Sequence, residues 1–205
     1  MKRFFGVILL LASFLLVFPA WSMENAPDRL VEKTVREVLE IIETDEFVKG
    51  GDREIIFDLV ESKILPHFNF IRMTQLAMGR HWSDANADQQ NEIVNEFRTL
   101  LVRTYSNALS SYRDETVEVH QLSELGDRVD TTVRTMVIQG SGKQPVPIDY
   151  SMEKKPEGWK IYDVTVAGVS LVTNYRGSFN SQIRRGGVEG LIKTLADKNK
   201  SLEGK

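Results

Sequence analysis

The chain has 205 residues, with 26 basic and 29 acidic side chains, a formal charge of −3 and no cysteine. Disulfides and thiolate metal sites are therefore excluded. A mildly acidic chain without a basic block is also a poor candidate for binding nucleic acid.

The first residues read as an address. Lys2 and Arg3 supply a positive start, Phe4 to Phe18 is almost wholly apolar, and Ala20-Trp21-Ser22 carries the small residues of a secretory cleavage site. We expect residues 1–22 to be a cleaved signal peptide and 23–205 to form a single exported domain. No cysteine follows the apolar run, so no lipoprotein anchor is expected there. Without Lys2 and Arg3 the balance is 24 basic against 29 acidic, a charge near −5.

Helical spacing follows. Asn25 is a candidate cap ahead of Pro27, and Leu30, Val31, Val35, Val38, Leu39 and Ile42 repeat along one helix face. A second helix is expected from Asp52 through Ile64, stopped by Pro66. A third spans about Asn69 to Met78 and ends at Gly79. Asn86 and Gln89 have capping-box spacing and open a long helix with Ile93, Phe97, Leu100, Leu101, Tyr105, Ala108, Leu109 and Tyr112 on one side.

The period then changes to two. Strands are expected over Thr116–Leu122, Val129–Gln139, Val146–Lys154 and Trp159–Ala167, separated by Gly126, by Gly140-Ser141-Gly142 and by Pro156-Glu157-Gly158. Short connections imply an antiparallel meander. Val146, Ile148, Tyr150 and Met152 share one face of their strand, against Asp149, Ser151 and Glu153 on the other. Val129, Val133 and Val137 alternate with polar neighbours, as do Tyr162, Val164 and Val166. Two helical segments close the chain, about Val169–Arg184 and Val188–Lys198, with Gly186-Gly187 between them. The fold class is α+β: a curved antiparallel sheet of four to five strands, its apolar face covered by helices. Pattern alone leaves open whether the space between them is filled or hollow.

A search for chemistry yields no enzyme. His67, His81 and His120 have no metal-ligand spacing, and no metal or other cofactor is called for. His67 and His81 flank the short third helix, where surface or capping roles suffice. Asp149, Glu153 and Asp163 fit a solvated sheet face with links to Arg134 or Lys160 better than acid–base work. Gly168-Val169-Ser170-Leu171-Val172 lacks the second glycine of a nucleophile elbow, so Ser170 reads as a cap or turn hydroxyl. Gly186 to Gly190 reads as a helix–helix turn rather than a phosphate loop.

Three stretches taken in order, "ILPHFNFIRMTQLAMGRHWSDANADQQNEIVNEFRTLLVRTYSNALSSY", "WKIYDVTVAGVSLVTNYRGSF" and "GGVEGLIKTL", resemble the MlaC family. These are soluble periplasmic phospholipid carriers of the Mla outer-membrane lipid-asymmetry system, also associated with toluene tolerance. Pro66, Phe68, Phe70, Gly79 and Trp82 match the family pattern, as do Gln89, Phe97, Leu101, Tyr105 and Tyr112. Trp159, Tyr162, Asp163, Gly168, Val169, Ser170 and Arg176 match its strand-to-helix junction. Asn69 departs, standing where the family commonly has Asp, and Met78 stands where Leu is usual.

The resemblance implies a monomeric, non-enzymatic carrier of diacyl phospholipid with an apolar pocket between sheet and helices. Val133, Val146, Ile148, Tyr150, Val164 and Val166 from the sheet, with Leu101 and Tyr105 from the long helix, would line it. Val169 would stand at its lip. The implied partners are the inner-membrane ABC transporter complex and the outer-membrane lipoprotein–porin complex of the Mla system. Two other readings stay open: a small enzyme on an NTF2-like cone, and a filled-core periplasmic adaptor. The apolar inward register of the strands argues against the first.

Overall fold

The computed structural model describes residues 26–106, 115–140 and 142–203. The expected signal segment, Asn25, Ala108, Leu109 and Tyr112 lie outside the described residues.

Pro27 opens helix α1 (Pro27–Thr44), its ring occupying a first-turn position where a backbone N–H has no helical partner anyway. Asp45 then caps a one-turn helix α2 (Glu46–Lys49) that periodicity does not reveal, and Asp52 caps α3 (Arg53–Leu59). Instead of running on regularly to Ile64, α3 widens into a π turn over Val60–Ile64 and tightens into a 3₁₀ turn over Leu65–His67, where Pro66 ends it.

Phe68 is the crossing point. It bridges Ile161 in parallel, and the Asn69 N–H donates to the Ile161 carbonyl at 2.7 Å, so the chain briefly joins the edge of the sheet. Helix α4 (Phe70–Met78) starts immediately afterwards, capped by the Asn69 side chain, and Gly79 stops it at φ +57°. A Cβ there would lie 3.0 Å from the mobile end of the Arg176 side chain, so it is the positive φ that calls for glycine. A 3₁₀ turn (Gly79–Asp84) leads to α5 (Ala87–Tyr105), whose capping box of Asn86 and Gln89 forms in both directions.

The sheet is an antiparallel meander in the order β1-β2-β3-β4-β5. Its strands are β1 (Thr116–Val119), β2 (Asp130–Ile138), β3 (Val146–Lys155), β4 (Gly158–Val166) and β5 (Val169–Ser170). β1 stops short of Leu122, whose N–H donates to the Asp28 carboxylate at the start of α1. Val129 precedes β2 and is exposed, outside the apolar row assigned to it.

Two further differences matter for the site. Ser151 pairs with Asp163 but Met152 with Ile161, leaving Tyr162 as the extra residue of a β-bulge. The bulge turns Tyr162 away from Val164 and Val166, onto the polar side with Asp130 and Ser151. Beyond β4, Ala167 and Gly168 both have positive φ, +49° and +83°, as a two-residue type I′ turn requires. The chain therefore doubles back as the fifth strand before helix α6 (Leu171–Leu202) begins. Val169 and Ser170 belong to that strand, and α6 breaks once, at Gly187 with φ +67°.

Helices lie on both sides of the sheet. α1 covers the apolar face, where Val31 packs with Val133, Met152, Trp159 and Ile161. α4, α5 and α6 gather on the outer side of β4 around Phe97, Phe179, Met73, Ile93 and Leu191. Asp163 starts α6 on that side, accepting from the Ser170 hydroxyl at 2.5 Å and the Val172 N–H at 3.1 Å.

Candidate lipid cavity

Between α1 and the apolar sheet face lies a cavity of about 480 Å³. Six residues of α1 wall it: Leu30, Val31, Thr34, Val35, Val38 and Leu39. The strands contribute Val117, Val137, Val146, Ile148, Tyr150, Met152 and Ile161, and the turns after α3 add Ile64, His67 and Phe68. Glu115 and Gln139, flanking the paired ends of β1 and β2, line the far end.

The wall follows from alternation. Val117, Val137 and Val146 form one cross-strand row on the inner face. Val119, Thr135, Ile148, Val166 and Val169 form the next, and Val133, Tyr150 and Val164 a third. Near the start of α1 these rows meet Val31 and close tightly, with Val133 and Met152 fully buried. Farther along, α1 no longer reaches the sheet, and Val146, Ile148 and Tyr150 are only half-buried because they face a void.

Few polar atoms interrupt the lining. Burial pushes the Tyr150 hydroxyl up from the ordinary phenol range, against the opposing effect of its hydrogen bond with Thr135. Burial first, and then the Lys160 ammonium, hold the His67 imidazole below its ordinary value.

Of the site residues expected from sequence, Val146, Ile148 and Tyr150 line the cavity. Val133 and Val164 pack in the cluster beneath it, and Val166 sits beside Ile148 across β4. Val169 is 58% exposed at the sheet edge, last in the row that passes through Ile148. Leu101 and Tyr105 are elsewhere: α5 packs on α6 and α4, so Leu101 is buried in the outer cluster and Tyr105 is exposed. Sequence reasoning missed the α1 wall, His67 and Phe68. The apolar stripe of α1 is as regular as that of α5, and period does not say which stripe faces the sheet.

The polar side of the sheet has a structural network. Glu153 accepts from Arg72 at 2.5 Å and Asn69 at 2.6 Å. Arg72 also reaches Asp130 at 3.2 Å and lies 3.8 Å over the Tyr162 ring, whose hydroxyl donates to Asp130. Burial would raise the Glu153 pKa, but hydrogen bonds from Arg72 and Asn69 and the charges of Arg72 and Lys155 more than offset it and hold it low. Ser170 caps α6, accepting from the Thr173 N–H at 3.0 Å. Among the described residues no three His, Cys, Asp or Glu side chains cluster as metal ligands, and no helix is long and apolar enough to cross a membrane.

What such a cavity can do is keep hydrocarbon dry. At about 30 Å³ for each water-sized group, it accommodates roughly sixteen methylene-sized groups. Shielding them from water is worth about 0.8 kcal/mol each, on the order of 10 kcal/mol for one long chain.

Comparisons with known proteins agree on a relationship. A family model described as MlaC protein matches residues 32–197. The intermembrane phospholipid transport system binding protein MlaC of Haemophilus influenzae is 24% identical over 198 residues, covering 94% of this chain and 91% of that protein. The toluene tolerance protein ttg2D of Pseudomonas putida is 23% identical over 192 residues, covering 93% and 86%. A phospholipid-binding protein from Ralstonia solanacearum, solved in complex with a phospholipid, superimposes with a TM-score of 0.78 at 40% identity. The match covers 85% of this chain and 97% of that one.

Proposed function

This chain belongs to the MlaC family, and on that premise we propose that it carries diacyl phospholipid, holding acyl chain in the cavity between α1 and β3. The observation that carries the reading is the apolar void itself. The protein atoms leave about 480 Å³ of hydrocarbon-lined space between the two layers, and the volume falls within the roughly 300–1,000 Å³ of ordinary ligand sites. The phospholipid complex of the Ralstonia relative supports the ligand class.

The finer account rests on the same premise. The mature protein works in the periplasm after losing residues 1–22, and shuttles lipid between the outer- and inner-membrane Mla complexes, maintaining outer-membrane lipid asymmetry. It acts by binding and release, without making or breaking covalent bonds. Val146, Ile148 and Tyr150 contact the chain, while Val133, Val164 and Val166 back that wall. Val169 forms the lip, since it ends the inner-face row containing Ile148 and remains exposed.

Native mass spectrometry of protein freshly purified from a Gram-negative host tests the reading. Bound mass matching diacyl phospholipid, confirmed by solvent extraction and lost on delipidation, is expected. A homogeneous unliganded mass would instead favour an adaptor that acts through its surface.

A further inference from the structure

The cavity is almost entirely apolar, so it selects for hydrocarbon and says little about where a headgroup rests. Its ends differ in charge, however. At one end stand the carboxylate of Glu115 and the amide of Gln139. On the side where α1 passes the 3₁₀ turn, the wall is the half-buried imidazole of His67. Lys160 Nζ donates at 2.7 Å to the carbonyl of Pro66, the residue before it. Lys33 precedes the lining residue Thr34 and is close enough to bear on the same imidazole. Glu37, one turn along α1, is the carboxylate that acts there, lying 3.9 Å from Lys33.

We propose that His67, with the ammonium groups of Lys33 and Lys160 beside it, is the contact point for the phosphate of the bound lipid. The inference rests on the phospholipid reading above and adds a polar subsite to it. A phosphate carries a full negative charge wherever its ester came from, and its tails must remain in the cavity. The side with two ammonium groups and a protonatable ring stabilises it. Lys33, Lys160 and the burial of the ring all disfavour the imidazolium in the empty protein, and Glu37 only partly opposes them. A phosphate at this position reverses that balance, so lipid uptake is accompanied by protonation of His67. Retention of phospholipid then strengthens as pH falls through the imidazole range.

Proton NMR of the imidazole rings of the mature protein tests this, with His67→Gln identifying the His67 signal among the three histidines. The protein is titrated delipidated, loaded with phosphatidylglycerol, loaded with diacylglycerol of matched chains, and in inorganic phosphate alone. The expected result is an increase of at least about tenfold in the proton affinity of His67 with phosphatidylglycerol, one pKa unit. Diacylglycerol and inorganic phosphate should leave it unchanged. Equal titration in the two lipid-loaded forms would overturn the subsite while leaving the carrier reading intact. A shift with inorganic phosphate alone would overturn the headgroup assignment in favour of a free-anion site. Failure to load either lipid would overturn both readings. The pH dependence of phosphatidylglycerol retention should disappear in His67→Gln, and its persistence there would also count against the proposal.

Discussion

The two apolar regions on either side of the sheet are made from similar residues and end differently. In the outer one, α4, α5 and α6 bring aromatic rings together: Phe97 lies 4.9 Å from Tyr175 and 5.0 Å from Phe179, each near edge-to-face. Phe97, Phe179 and Ile93 are at most 1% exposed, so nothing is left over. In the inner one, α1 offers Leu, Val and Thr to a sheet face of Val and Ile with Tyr150 and Met152, and the two layers do not meet across the middle. Hydrophobic pattern thus decides which surfaces leave water. The reach of the side chains from the two layers decides whether the space between is solid or hollow.

Mutation should separate the two regions. Phe97→Ala removes a ring from a filled cluster and should cost about 3–5 kcal/mol, read as a lower denaturant midpoint with unchanged slope. A cost near that of a surface substitution would mean the outer layer is not the stabilising one. Next in size is Arg72→Met, which leaves the largely buried Glu153 carboxylate without its guanidinium; because Arg72 is partly solvated, about 2 kcal/mol at pH 7 is expected. Since Glu153 titrates low in the folded protein, its contribution is fully present above the unfolded carboxylate value of about 4.3. It is lost as pH falls through the depressed folded value. The wild-type stability should therefore fall on acidification below about pH 4.3, and that fall should be shallower in Arg72→Met. Parallel acid profiles would remove the pair from the account.

The hollow region should respond in the opposite currency. Ile148→Ala faces the void and forfeits few packing contacts, so delipidated protein should lose about 1 kcal/mol or less. A loss matching that of Phe97→Ala would show that the cavity wall is packed after all. The smallest change in stability is expected for Val169→Glu, within about 0.5 kcal/mol because the side chain is already exposed. Its bound phospholipid should nonetheless fall severalfold, since a carboxylate at the lip disfavours passage of hydrocarbon. Native lipid content in folded Val169→Glu would remove the residue from the site.

Much of this arrangement is legible in the chain. Asn86 and Gln89 announce a helix start that forms as written, Ser170 caps as its spacing suggests, and the alternation of Val146, Ile148 and Tyr150 identifies the cavity wall. The misplaced residues have local physical causes. One extra residue at Tyr162 reverses its face, a change that alternation alone does not register. The positive φ of Ala167 makes a hairpin where the apolar spacing reads as a helix start. Leu101 and Tyr105 lie on a helix that packs on α6 rather than on the sheet, and the period of an apolar stripe does not name its partner.

The crossing at Phe68 has one more consequence. A carrier that keeps an apolar hollow under an open sheet risks recruiting a second molecule by strand addition, since a free edge is a template for pairing. Here the outer edge of β4 is occupied at both ends, by the Phe68–Asn69 bridge at Ile161 and by β5 at Thr165 and Val166. At the other margin β1 is only four residues long. The same short segments that route the chain from one side of the sheet to the other thus take up the free side of β4 at both of its ends, where a second chain could otherwise pair.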